Sequence, residues 1–266
     1  MQFNRSVLAA AFIVFTILSE SRADDRDFEL SSGIEYFSWR EYISSCPQTL
    51  EERGPRFFVG LDKSNRDYAG WDLGLKGKAY VGLVYYDGFD ISCSPLAATT
   101  SYLGVTAEAD AIRWLNSESS ETSFPQVGIK LGLGFDTWRR TILASGGYSE
   151  DYVVGFGRLG LAAARDNVWS AEAGVKYPFT TSEVAYLTGV GYSSNASLNP
   201  KGKYSYFANL RFQPSESQYT WLIYYDSYRF DASDSVPISA CPSTPCSVYQ
   251  PVSHQDTVGV ALTFKH

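Results

Sequence analysis

The chain has 266 residues, of which 44% are hydrophobic and 15% aromatic, and its formal charge is −7. It contains no block of basic residues, so neither composition nor charge indicates a nucleic-acid partner. Mean hydropathy is −0.17, and no stretch beyond the N-terminus reaches the 18 or more apolar residues of a transmembrane helix. These properties exclude a helical membrane protein.

The N-terminus predicts export. Arg5 precedes the apolar run Val7–Leu18, and Ala23 closes a short motif of small residues. A basic start, a short apolar core and small residues at the cleavage positions are typical of a secretory signal peptide. The run is shorter than the roughly 20 residues that a spanning helix needs. We therefore expect residues 1–23 to be removed and residues 24–266 to form one domain.

The mature chain alternates between apolar and polar residues, most clearly in the segment 71–85. Trp71 and Tyr85 end its apolar row, and Lys76 lies in the polar row. Successive side chains of a β-strand point to opposite faces, and a strand that crosses a bilayer needs about 9–11 residues with aromatic ends. The same pattern predicts ten strands, at about residues 28–41, 55–63, 71–85, 99–115, 124–140, 148–163, 167–179, 202–213, 218–230 and 254–265. The phase of the first strand slips near Trp39, which we interpret as a β-bulge.

The connections between these strands alternate in length. Short polar turns fall at about residues 64–67, 116–123, 164–166 and 214–217, and mostly longer loops separate the other strands. Outer-membrane barrels have short periplasmic turns and longer external loops. The fold class is therefore predicted as all-β, an antiparallel transmembrane β-barrel of about ten strands. Eight or twelve strands are the alternatives, because residues 148–163 and 180–201 are weakly patterned.

Four cysteines, Cys46, Cys93, Cys241 and Cys246, fall in the longer loops. An even number of cysteines in an exported chain suggests disulfides, and four cysteines allow three connectivities. We predict that Cys46 pairs with Cys93 and Cys241 with Cys246, because these loops are neighbours in the proposed topology. No metal or cofactor is expected, because the chain has two histidines and no Cys/His spacing of a zinc site.

The C-terminal segment resembles the assembly signal of Gram-negative outer-membrane proteins, with apolar or aromatic residues at alternate positions. The matching positions are Val258, Val260, Leu262, Phe264 and the final His266, where Phe or Trp is usual. Other segments, such as GWDLGLKGKAYVGLVYYDG, TSYLGVTAEADA and GVKYPF, resemble proteobacterial outer-membrane β-barrel proteins. The resemblance implies a location in the outer membrane. It also implies contact with lipid and lipopolysaccharide and folding by the barrel assembly machinery. It carries over no catalytic residue.

Charged residues on the predicted inner face form a belt of mixed sign. If neighbouring strands pair around the assigned turns, five of them reach nearly the same height: Lys76, Glu108, Lys130, Arg158 and Glu172. Such a belt would either select solutes in a narrow pore or plug the lumen with ion pairs. Wide water channels need about 16–18 strands, so ten strands favour the plug.

These observations predict an outer-membrane barrel without catalytic activity, acting as a structural protein or a narrow pore. One alternative is a surface scaffold whose long loops, 180–201 and 231–253, bind a ligand that the sequence does not name. A more remote alternative is a rim hydrolase similar to the omptin-type surface proteases, built on His254, Asp256 and Asp226. No nucleophile–base motif supports that alternative.

Overall fold

The chain folds into one closed antiparallel barrel of ten strands, as seen in a computed structural model of the protein. The structure describes residues 28–43, 49–68, 70–89, 94–116, 125–165, 168–214, 217–238 and 246–265. Consecutive barrel strands are neighbours, and the last strand pairs with the first along residues 29–42. The predicted fold class and the strand count of ten are confirmed.

Barrel strands and short rim strands together number fourteen among the described residues. The barrel strands are β1 Phe28–Tyr42, β2 Leu50–Tyr68, β3 Trp71–Phe89, β4 Pro95–Trp114, β5 Gln126–Ile142, β6 Ser149–Arg165, β7 Trp169–Ala185, β10 Ser205–Phe212, β11 Tyr219–Asp231 and β14 Val252–Lys265. The short strands are β8 Ala196–Leu198, β9 Lys201–Gly202, β12 Val236–Ile238 and β13 Cys246–Val248, and a 3₁₀ helix covers Leu187–Val190. No described helix has the length and apolarity to span a bilayer.

The two ends of the barrel differ. At the short-turn end, 2, 11, 3 and 6 residues join β2 to β3, β4 to β5, β6 to β7 and β10 to β11, and the two longest connections, β7 to β10 and β11 to β14, both lie at the long-loop end. At the long-loop end, β7 ends at residue 185 rather than at the predicted 179, and β3 ends at 89 rather than 85. Because hydrogen bonds continue between these longer strands, the wall extends further at the long-loop end than the alternation predicted.

The outer wall carries a wide apolar band. Large apolar side chains of this band have high solvent-exposed fractions, including Leu83 at 62%, Leu133 at 66% and Leu161 at 63%. Trp71 and Tyr36 belong to the aromatic residues exposed on the same outer wall. A continuous apolar surface of this kind requires a nonpolar surrounding, and a closed barrel leaves no unpaired strand edge in it.

The predicted bulge in β1 is wrong. Phe37 and Trp39 are 0% and 1% exposed, and both point inward in the same phase as Glu35. Both neighbouring strands pair with β1 continuously through these residues. The inner face changes from charged to aromatic near the long-loop end, so apolar residues occur on both faces there. The alternation therefore breaks down in the sequence although the strand is regular.

A β-bulge instead lies in β7. Gly155 of β6 pairs with Thr180 and Phe156 pairs with Pro178, so Phe179 has no partner across the pair. An extra residue inverts the alternation beyond it. Glu183 therefore points into the barrel, where it is 1% exposed.

Inward aromatic rings pack over glycines on the neighbouring strand. The Tyr224 ring of β11 covers Gly259 of β14, its cross-strand partner, and a Cβ at Gly259 would overlap the ring. Tyr80 of β3 covers Gly104 of β4 in the same way. The glycines of the inner rows therefore make room for the rings that fill the lumen.

We expect Gly259→Ala to lower the free energy of unfolding by about 1–3 kcal/mol, because the added methyl group displaces the Tyr224 ring. Gly77→Ala is the matched control. A Cβ at Gly77 meets no atom within 4 Å, so that variant should match or slightly exceed the wild type. Urea unfolding of both variants in detergent measures the difference. Equal losses in the two variants would contradict the packing argument.

Candidate functional site: the barrel interior

The structure brings the five residues of the predicted charge belt into one network. Lys130 Nζ lies 2.8 Å from Glu172 and 4.0 Å from Glu108. Lys76 Nζ lies 3.9 Å from Glu172, and Arg158 Nη1 lies 2.9 Å from Glu108. Alternate residues of antiparallel strands share one face, which is why strands β3 to β7 deliver these five side chains to one region of the lumen.

Two further carboxylates complete the belt. Asp110 pairs with Lys130, and with Lys76 at 2.6 Å. Asp226 pairs with Arg158 at 2.8 Å and with Lys176 at 2.5 Å. The predicted belt does not include Asp110, although it lies two residues after Glu108 and therefore on the same face. Asp226 is predicted only as a rim residue, but it lies in the lumen at the height of the belt.

A second ion-pair group lies next to the belt and is centred on Glu35. Its carboxylate accepts from Arg56 at 2.5 Å, from Lys78 at 3.0 Å and from the Tyr224 hydroxyl. The Arg56 guanidinium lies 4.0 Å from the centre of the Phe37 ring. Cation–π contact of this kind adds to the ion pair when both groups are desolvated.

An aromatic plug fills the lumen toward the long-loop end. It consists of six side chains that are each at most 3% exposed: Phe37, Trp39, Tyr102, Trp138, Tyr152 and Phe230. Trp138 stacks on Tyr152 with ring centres 4.8 Å apart, and Trp39 meets Tyr152 edge-on at 5.7 Å. Stacked and edge-on rings fill space densely, so this part of the lumen is packed with side chains.

The rim cluster lies beside the plug and surrounds the guanidinium of Arg140. Arg140 Nη1 lies 3.1 Å from Glu41 and 2.5 Å from Glu150, and Nη2 lies 2.8 Å from Glu52. Glu183 is the fourth carboxylate of the cluster. All five side chains are buried. The low dielectric strengthens the attraction between the charges, but loss of one partner would leave the others buried without compensation.

A polar cavity of about 140 Å³ opens in the other half of the lumen. Its lining includes Lys76, Arg158 and Arg211 as well as Asp62 and Glu108. Three buried atoms of this lining have no hydrogen-bond partner in the described chain: Asp62 Oδ1, Glu108 Oε1 and Arg158 Nε. Unpaired polar atoms around a volume of this size suit water or a small polar solute.

The charged side chains of the lumen differ in solvent exposure. The Lys76 and Arg211 side chains are 27% and 25% exposed. Arg56 is 3% exposed and Arg140 is 2% exposed. Lys130, which pairs with the same carboxylates as Lys76, is 0% exposed, so exposure also varies within the belt.

The structure does not bring the predicted hydrolase residues together. His254 lies on the outer wall, with Nδ1 3.3 Å from the Tyr42 hydroxyl. Asp256 shares that outer wall and pairs with Arg229 at 2.6 Å. Asp226 points into the lumen, so the barrel wall separates it from His254.

Several predicted residues lie outside the described ranges. These are residues 1–23, Cys46, Cys93, Cys241 and His266, and of Cys246 only the backbone is described, at the start of β13. The disulfide pairing therefore stays a prediction. The remaining residues of the predicted assembly signal, Val258, Val260, Leu262 and Phe264, alternate along β14 on the strand that closes the barrel against β1.

Comparison with known proteins finds no matching family model and no matching curated protein. Among solved structures, the outer membrane protease OmpT from Escherichia coli superposes with a TM-score of 0.55. It is 12% identical over 93% of this chain and 99% of that chain. This chain has the fold of an outer-membrane β-barrel. The translocator domain of the autotransporter NalP from Neisseria meningitidis is also similar, at a TM-score of 0.43 and 10% identity over 98% of this chain and 93% of that chain.

The likeness to OmpT extends to the fold alone. Barrels of this fold usually have short turns on the periplasmic side and long loops on the cell exterior. In this chain the plug and the rim cluster lie toward the long-loop end, and the polar cavity lies toward the short-turn end.

Proposed function

We propose that the protein is a non-catalytic structural barrel of the outer membrane whose lumen is sealed. One observation supports this most directly: six buried aromatic rings fill the lumen between the polar cavity and the long-loop end, which we place at the cell exterior. In this proposal lipid and lipopolysaccharide surround the apolar band, and the barrel assembly machinery acts on β14.

The energetics of the lumen support a sealed state. A solute that crossed the lumen would have to separate buried ion pairs such as Arg56 with Glu35 or Arg140 with Glu52. Breaking a buried pair costs about 3–5 kcal/mol, because each charge is left without compensation. The belt and the plug therefore act together as a structural filling rather than as a selectivity zone.

We expect the purified protein to be silent in planar lipid bilayers. Lys76→Ala/Arg158→Ala should also be silent, because the aromatic plug and the rim cluster remain in place. Discrete ion-selective steps in the wild type that shift in this variant would favour the narrow pore. Conductance as large as that of a porin would overturn the sealed lumen.

The proposal includes no catalytic activity, because His254 and Asp226 lie on opposite sides of the barrel wall. An assay with a library of fluorogenic peptides tests this directly. Hydrolysis that disappears in His254→Ala, while the variant remains folded, would contradict it.

A surface scaffold is the second candidate. It is favoured by a buried apolar cluster that packs residues of the external loops together. Ala185, Leu187, Ala196, Leu198 and Ile238 form a separate buried cluster above the barrel. Rigid loops of this kind present a fixed binding surface. The test compares cells that display the wild type with cells whose residues 188–195 are replaced by a Gly-Ser segment. Equal binding of both to an array of immobilised glycans and matrix proteins would count against this candidate.

A further inference from the structure

Glu183 is a buried carboxylate that the sealed-barrel function does not use. Its side chain is 1% exposed, and neither of its oxygens has a hydrogen-bond partner in the described chain. The bulge at Phe179 turns it inward. Without that extra residue, the alternation of β7 would place it on the outer wall.

Charged and titratable groups from several elements face Glu183. They are Glu41 of β1, Glu52 of β2, Arg140 of β5, Glu150 and Tyr152 of β6, and Tyr148 of the preceding turn. Arg140 is the cation of this group. Its Nε donates to Glu52 and its Nη1 to Glu41 and Glu150, and its Nη2 lies 2.8 Å from Glu52. Four carboxylates therefore share one guanidinium, and Glu183 is the one that it does not contact.

We propose that Glu183 is a proton-binding site that keeps the external loop closed. An ionised carboxylate without a donor, next to like charges and out of water, is strongly unfavourable. A proton removes the charge and turns the carboxyl group into a hydrogen-bond donor toward the Tyr152 hydroxyl or the Glu150 carboxylate. The side chain is 1% exposed, so a proton fits there without displacing its neighbours, whereas a hydrated ion does not.

The loop that follows β7 pairs with the strand at Glu183 and would respond to loss of the proton. Glu183 pairs through its backbone with Leu198 of β8, and Ala196 and Leu198 are at most 2% exposed. Leu198 is the cross-strand neighbour of Glu183, so its side chain lies on the same face of the sheet as the carboxyl group. Once Glu183 loses its proton, hydration of the carboxylate requires β8 to leave β7, so the loop between residues 186 and 204 opens.

The direction of the pH effect follows from linkage. The closed state binds the proton of Glu183 more tightly than the open state, because burial and the neighbouring carboxylates disfavour the charged form in the closed state only. The open population therefore grows as pH rises, by up to tenfold per unit. Tyr148 does not produce this effect near neutral pH, because Glu150 and burial raise its pKa well above the usual value.

Chymotrypsin cleavage of the folded protein in detergent measures loop opening, since Leu187 and Tyr192 lie in the loop. The rate at each pH is divided by that of a free peptide with the sequence of residues 186–204, which removes the pH dependence of the protease. We expect the normalised rate of the wild type to rise at least tenfold between pH 6 and pH 9. Glu183→Gln, which mimics the protonated side chain, should stay low throughout.

Glu51→Gln is the matched control, because Glu51 lies on the outer wall of the same rim and pairs with Arg40. It should show the full rise of the wild type. An equal rise in Glu183→Gln, a flat wild-type profile, or protection restored by calcium or magnesium at high pH would overturn the proposal.

Infrared spectroscopy of the wild type gives a second test that does not depend on how well the variant folds. A C=O band of a protonated carboxylic acid should be present at pH 7 and should fade at the pH where the loop opens. A wild type without this band at pH 7 would also overturn the proposal. Where Glu183→Gln folds, the part of the band that fades as the loop opens should be missing from it.

Discussion

Arg140→Ala is expected to destabilise the barrel by about 3–5 kcal/mol, because it leaves a set of buried carboxylates without a cation. The guanidinium bonds to Glu41, Glu52 and Glu150 at 2.5–3.1 Å, and it is 2% exposed. No other cation replaces it among the described contacts of these three carboxylates. Urea unfolding in detergent, followed by tryptophan fluorescence, measures the loss.

Arg139→Ala is the matched control for this prediction. Arg139 is the preceding residue on β5, but it points outward, is 33% exposed and pairs with Asp151 at 2.6 Å. Exposed pairs of this type contribute at most about 1 kcal/mol. If the two variants lose similar stability, the rim cluster is not the electrostatic centre of this end of the barrel.

Removing three rings of the plug, as Trp39→Ala/Trp138→Ala/Tyr152→Ala, is expected to open a conducting path. These rings contact one another, with centres 4.8–6.3 Å apart, and all are at most 3% exposed. Their loss joins the external side to the polar cavity, and water fills the space because charged groups line it. Single-channel recording in planar bilayers should show steps that the wild type lacks.

Trp71→Ala/Trp221→Ala removes comparable aromatic mass from the outer wall, where both rings are exposed, and should stay silent. In the opened barrel, adding Lys76→Ala/Arg158→Ala removes two positive charges from the belt and should shift selectivity toward cations. A silent triple variant that still runs as a folded barrel on gels would show that other groups also seal the lumen.

The sequence predicted the barrel well because alternation is a local signal. Each strand of the outer wall must be apolar at every second residue, and this requirement revealed ten strands and the face that carries Lys76 and Glu108. The turns were equally visible, since polar residues such as those at 116–123 interrupt the pattern.

The aromatic plug and Glu183 escaped prediction for a physical reason. Alternation assigns faces only where the two faces differ in polarity, and Phe37 and Trp39 are apolar residues on the inner face. In β7 the extra residue at Phe179 reverses the phase, so the pattern seemed to end there. Register between strands, which brings Asp226 to Arg158, depends on pairing that no local segment contains.

The pairing of β1 with β14 joins segments from opposite ends of the chain. Contacts between residues so distant in sequence carry a large loop-closure entropy and form slowly. Closure is therefore expected to be the last event of folding, after the neighbouring hairpins have formed. Gly33 of β1 lies so close to Val260 and Ala261 of β14 that a side chain there would hold the two strands apart. The β1–β14 pairing therefore closes the barrel, and a chain that ends before β14 would have two unpaired edge strands.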